Sequence, residues 1–175
     1  MRWTVIKKIQ FIVKSLLLVA IFMFSVSVSH SADKKPAVGY KVGQVGPEFK
    51  LKSLAGKTYT LESLRKKGHV MLAFWAVECV YCYAHVKDFN ALHAKYNNKG
   101  LTIAAINIGA EYDDDIAEYV KDNNIKYLVL SNRLDNLDAG EAYHAVVTPT
   151  IVLVAPNGNV VYYGHTLPDL SKFIK

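Results

Sequence analysis

Val70-Met71-Leu72-Ala73-Phe74-Trp75-Ala76-Val77-Glu78-Cys79-Val80-Tyr81-Cys82 is the stretch whose reading decides the fold. Its first half is a continuous apolar run of strand-forming residues, the signature of a strand buried on both faces. Its second half opens a helical pattern in which Cys82, Val86, Phe89, Leu92, His93 and Tyr96 recur until Asn97, Asn98 and Gly100 stop it. The handover holds the chain's 2 cysteines, two residues apart. Scattered at random in a chain of this length, they would fall at that spacing only about 1% of the time.

A strand ending near Ala76 and a helix starting near Cys79 place the first sulfur where unpaired backbone N–H groups and the positive end of the helix dipole converge. That environment favours thiolate. Lowering a thiol pKa from about 8.5 to about 7 raises the thiolate fraction at neutral pH from about 3% to about half, while the sulfur stays a good nucleophile. Cys79 is therefore expected to attack, and Cys82, one turn further in at the start of the buried stripe, to resolve. A disulfide between them closes so short a loop that it constrains the unfolded chain by about 2 kcal/mol, against about 4.7 for a 100-residue loop. So weak a staple suits a bond that opens and closes. A zinc site would need four ligands, and His30, His69, His85, His93, His144 and His165 show no paired spacing to supply them.

The first residues say where this chemistry operates. Arg2, Lys7, Lys8 and Lys14 precede an apolar run from Leu16 to Val28 that ends in Ser27, Ser29, Ser31 and Ala32, the pattern of a secretory signal cut between Ser29 and Ala32. The rival is an uncleaved anchor, since Phe11, Ile12 and Val13 lengthen the run to about 18 residues. No cysteine lies in it to carry a lipid. Residues 1–32 hold four of the 21 basic residues and none of the 15 acidic ones, so without them the net charge falls from +6 to about +2. The basic balance belongs to the leader, and nucleic acid is not an expected partner. Outside the cytoplasm disulfides form and persist.

Residues 33–45 read as a linker punctuated by Gly39 and Gly43, and residues 46–175 as one domain. Pro47 to Leu51 and Tyr59 to Leu61 flank Leu54-Ala55-Gly56-Lys57 as an N-terminal β-hairpin, and Leu61 to Arg65 is a short helix. After the strand from His69 to Ala76 and the cysteine helix come a second buried strand, Leu101 to Ile108, and a helix opened by Asp113, Asp114 and Asp115. A short strand (Tyr127 to Leu130), a short helix (Asp138 to His144) and two strands around Pro156-Asn157-Gly158 follow. A helical stretch from Pro168 to Ile174 ends the chain. This order is an α/β arrangement, one mixed β-sheet flanked by helices.

Gly46-Pro47-Glu48-Phe49, Ala73-Phe74-Trp75-Ala76 before Cys79-Val80-Tyr81-Cys82, and Val147-Thr148-Pro149-Thr150 before the Asn157-Gly158 turn together resemble the thioredoxin superfamily. The similarity is to its branch of exported reductases related to TlpA, ResA and the cytochrome c maturation thioredoxins, and it covers residues 46 to 174. It implies a thioredoxin-like thiol–disulfide oxidoreductase in which Pro149 is a cis proline facing the sulfurs. Thr148 would offer its backbone to an extended substrate, with Trp75 and Tyr81 on the substrate side. It implies protein thiols and disulfides as substrates, a membrane thiol electron donor, and no cofactor beyond the Cys79–Cys82 disulfide.

Departures from the pattern surround the sulfurs. Glu78 replaces the usual Trp and opposes a thiolate on Cys79, Tyr81 replaces the usual Pro, and Ala73 stands where thioredoxins proper hold a buried Asp. His85 lies where some relatives carry a Glu, six residues after Cys79, and could relay a proton when Cys82 attacks. A peroxidase would need a hydroxyl three residues before its cysteine, where this chain has Ala76. A binding module that keeps the fold without turnover is the remaining alternative.

Overall fold

The computed structural model describes residues 36–131 and 138–175. The expected leader or anchor, residues 1–32, lies outside them. Among the described residues no helix is long and apolar enough to cross a membrane.

The elements run β1 (Lys50–Ser53), β2 (Thr58–Thr60), α1 (Leu61–Arg65), β3 (His69–Trp75), α2 (Val80–Ala84), α3 (Val86–Tyr96), β4 (Leu101–Asn107), α4 (Asp113–Asp122), β5 (Leu128–Ser131), α5 (Asp138–Ala142), β6 (Thr150–Val154) and β7 (Val160–Gly164). They build one sheet in the order β2-β1-β5-β4-β3-β6-β7. The three strands β5, β4 and β3 are parallel, joined by helical crossovers. The hairpins β1–β2 and β6–β7 extend the sheet antiparallel at its two ends. This is the expected mixed sheet with an N-terminal hairpin.

Residue alternation along β3 divides the core. Val70, Leu72 and Phe74 pack into one cluster with Leu51, Leu61, Ile106 and Tyr143. Met71, Ala73 and Trp75 pack into the other with Cys82, Phe89, Ile103 and Ile116. The strand is buried almost throughout because helices or loops cover both faces.

Three local expectations change. The single helix expected from Cys79 to Tyr96 is two helices, broken at His85 (φ −90°, ψ −6°), whose N–H turns back to the carbonyls of Cys82 and Tyr83. The expected terminal helix is only a 3₁₀ turn, Leu170–Lys172. Asp169 caps that turn by accepting from Ser171 N at 3.1 Å, and Leu170 and Ile174 anchor it in the core. Seven residues are too few for a stable α-helix to form on propensity alone. Lastly, the lead-in is tied to the domain: Gly43 N donates to Val160 O (2.9 Å), Val160 N to Gln44 O (2.8 Å), and Tyr40 stacks on His144 with ring centroids 5.1 Å apart.

Candidate active site

Strand β3 ends at Trp75 and hands the chain to a tight turn in which Cys79 N donates to Ala76 O at 3.2 Å. Cys79 then caps α2. Its backbone is extended (φ −79°, ψ 98°), its carbonyl accepts from Tyr83 N (3.0 Å), and its sulfur accepts from Cys82 N at 3.1 Å. The sulfur thus fills the place a serine or aspartate oxygen takes in an ordinary N-cap. Cys79 and Cys82 form a disulfide, with Cα atoms 5.2 Å apart. Cys79 is half-buried, while Cys82 is 5% exposed. That inequality sets which sulfur a protein substrate can reach first.

Opposite them, the Thr148–Pro149 peptide is cis. Pairing of Phe74 with Thr150 brings the start of β6 level with the end of β3, and Pro149 borders the same small cavity as Cys82. The loop is braced internally. Thr150 Oγ1 donates to Val147 O at 2.6 Å, and His165 Nδ1 lies 3.1 Å from Pro149 O. Thr148 itself is half-exposed.

The other expected site residues are placed as follows. Tyr81 stands out into solvent at 76% exposure, and its neighbour Val80 and the residues Val146 and Val147 of the proline loop are exposed as well. Glu78 is exposed on the turn. His85, half-buried at the helix break, has Asp88 as its partner (Nδ1 to Oδ2, 3.4 Å) and turns its ring edge toward Phe89. Trp75, expected on the substrate side, lies at the end of β3. It is 6% exposed, with its ring 5.0 Å from that of Tyr119, because its face of β3 is the one covered by α3 and α4. It supports the site from beneath.

Three residues were missed in reading the sequence. Glu111, in the loop after β4, accepts Val77 N at 2.7 Å and so holds the turn leading into Cys79. Its carboxylate folds back against Gly109, where an added Cβ would collide with it. Tyr119 of α4 borders the Cys82 cavity, and His165, after β7, braces the proline loop. Burial, and then the nearby Tyr83 phenol, push the Tyr119 hydroxyl above its ordinary pKa, so it stays protonated at neutral pH. The usable signal was topological: parallel neighbours β3 and β4 end side by side, with Ile108 N donating to Trp75 O at 2.8 Å, so their following loops must meet. Among the described residues no group of three or more His, Cys, Asp or Glu is placed to hold a metal.

The AhpC/TSA family profile matches residues 42–163, spanning hairpin, cysteine turn and proline loop alike. The chain belongs to the AhpC/TSA family, within the thioredoxin-like fold. A thiol-disulfide oxidoreductase ResA of Oceanobacillus iheyensis is 31% identical over 162 residues, which is 88% of this chain and 80% of that protein. Among solved structures, the thioredoxin domain of a thiol-disulfide oxidoreductase from Bacteroides vulgatus superposes with a TM-score of 0.71 at 23% identity, covering 77% of this chain and 99% of that one. A thiol:disulfide interchange protein from Bacteroides sp. does so with 0.68 at 24%, covering 80% and 91%. The two structural likenesses speak to the fold.

Proposed function

We propose that this protein is an exported thiol–disulfide oxidoreductase that reduces protein disulfides through Cys79 and Cys82. The observation that carries the reading is a disulfide at a helix N-terminus, one sulfur accessible and the other buried, next to a cis-proline loop. The ResA relative supplies the reaction class.

In the reduced protein the Cys79 thiolate attacks one sulfur of a substrate disulfide, and the other substrate sulfur leaves as a thiolate. Cys82 then loses its proton and attacks Cys79 Sγ. The Cys79–Cys82 bond forms and the second substrate sulfur departs with its electron pair, so the substrate gains two electrons and the protein dithiol loses them. Thr148 presents its backbone to an extended substrate segment, Pro149 keeps that segment against the sulfurs, and Tyr81 offers an apolar contact at the rim. Glu78 tempers the thiolate at Cys79 by its like charge. The cycle needs no metal or organic cofactor, only a thiol donor, which in an exported protein is a membrane protein that delivers electrons from the cytoplasm. Residues 1–32 act as leader or anchor.

Cys82→Ser tests the reading. The variant should accumulate mixed disulfides through Cys79 in an exported fraction, and Cys79→Ser should abolish insulin reduction. Absence of any trapped partner together with no insulin reduction by the unaltered protein would overturn it in favour of a binding module. The Cys79/Cys82 potential fixes direction: about −250 mV or lower for a reductant, about −120 mV for an oxidant.

A further inference from the structure

The loop between α5 and β6 carries the proline side of the site. Exposed Val146 and Val147 and half-exposed Thr148 project from it between buried Ala145 and Pro149. Both ends of this projecting run are held by one short stretch, Tyr163-Gly164-His165, at the end of β7. The Tyr163 hydroxyl donates to His144 O at 2.8 Å, and His165 Nδ1 lies 3.1 Å from Pro149 O and 3.4 Å from Thr150 Oγ1. The rings of Tyr163 and His165 meet edge to face, with centroids 6.3 Å apart. Tyr40 supports the first end, stacked on His144 with its centroid 5.2 Å from that of Tyr163. His144 has φ +50°, in the left-handed region that a residue other than glycine keeps only when its surroundings hold it there.

These hydrogen bonds fix which nitrogen of His165 carries a proton. The Pro149 carbonyl can only accept. Thr150 Oγ1 gives its one hydrogen to Val147 O at 2.6 Å, so toward His165 it too can only accept. Nδ1 is therefore protonated and shares its hydrogen between the two oxygens. The imidazole takes up the Pro149 carbonyl where the β6–β7 ladder, last paired at Ile151 and Gly164, has run out. Burial, and then Tyr40, push the Tyr163 phenol above its ordinary pKa, so it keeps the proton it donates.

We propose that Tyr163 and His165 are positioning residues that clamp the two ends of this loop, so that the Thr148 backbone and the Val146 and Val147 side chains stand in place for an extended, apolar segment of a protein substrate. The inference rests on the proposed disulfide exchange. A loop freed at its Pro149 end shifts the Thr148 backbone out of register with a substrate strand. The sulfurs stay where they are, because Cys79 and Cys82 belong to the turn and to α2, held from Glu111. The clamp thus acts on a substrate that has a backbone to pair, and much less on one that has none.

His165→Phe keeps a ring beside Tyr163 and removes the N–H, while His165→Asn loses the ring and keeps an amide N–H at the place of Nδ1. With the full chain, reduction of insulin is compared with reduction of 2-hydroxyethyl disulfide, which has no peptide backbone. His165→Phe should lower kcat/KM on insulin by about tenfold, chiefly through KM, and on the small disulfide by no more than about twofold. His165→Asn should regain most of the insulin rate, and Tyr163→Phe should show the same selective loss as His165→Phe. Should the phenylalanine variant not fold, His165→Asp, which sets an acceptor against two acceptors, takes its place beside His165→Asn. An insulin rate within about twofold of the unaltered protein, an equal fall on both disulfides, or no recovery in His165→Asn overturns the clamp. Failure of the unaltered protein to reduce insulin at all would instead sink the proposed function, so the two failures are told apart.

Discussion

Glu111→Ala tests whether the cysteine turn is held from outside itself. The Val77 N–H lies on a half-buried turn two residues before Cys79, and its partner is a carboxylate oxygen at 2.7 Å contributed from 34 residues further along. A hydrogen bond to a charged group contributes about 1.5–3 kcal/mol, and leaving a partly buried donor unmade costs on that same scale. The alanine variant should therefore lose about 2 kcal/mol, which in a domain of this size lowers Tm by about 5–10 °C. Glu111→Gln keeps an acceptor oxygen and should lose less than half as much. Paired thermal and urea melts of the oxidised proteins read both numbers. Turnover should follow the same order, because a loosened turn from Ala76 to Cys79 displaces the sulfur that caps α2. Equal losses for alanine and glutamine, or a loss under about 0.5 kcal/mol for alanine, would refute the idea that this bond braces the turn.

Two further outcomes follow from buried groups. Burial, reinforced by Glu48 at Tyr143 and by Tyr119 at Tyr127, raises the pKa of both phenols. Above pH 10 the unfolded chain loses these protons and the folded one keeps them. Stability is thus full below pH 10 and should fall as pH rises, by about 1.4 kcal/mol per pH unit for each tyrosine. Urea melts between pH 9 and 11 should show a shallower slope in Tyr127→Phe, and an unchanged slope would count against it. Gly68 has φ +136°, and a Cβ there would strike the backbone oxygen of Gly100. Gly68→Ala should cost about 2 kcal/mol or more by parting the starts of β3 and β4; a melt within a degree of the unaltered protein would show that the two chains can separate freely.

What could be read from the sequence was what the chain states locally. The sulfurs of Cys79 and Cys82, the apolar run of β3, the Asn157-Gly158 turn and the Thr148-Pro149 element each lie within a few residues of the signal that reveals them. The break at His85 was hidden because neither glycine nor proline marks it. It arises where the last turn of α2 folds back, with the His85 N–H on Cys82 O, and α3 restarts with Phe89 N on His85 O. The side of Trp75 was hidden for a different reason. A strand covered on both faces shows no polar alternation, so nothing in Val70 to Trp75 says which residues look toward the cysteine helix.

Glu111, Tyr119 and His165 were hidden by sheet order. They reach the site from after β4, from α4 and from after β7, 32 to 86 residues beyond Cys79 in sequence. Only the arrangement β5-β4-β3-β6-β7 makes them neighbours. The substitutions visible in the sequence, Ala73, Glu78 and Tyr81, therefore describe one half of the site. The other half comes from elsewhere in the chain: Glu111 holds the turn into Cys79, Tyr119 lines the cavity beside Cys82, and His165 braces the proline loop.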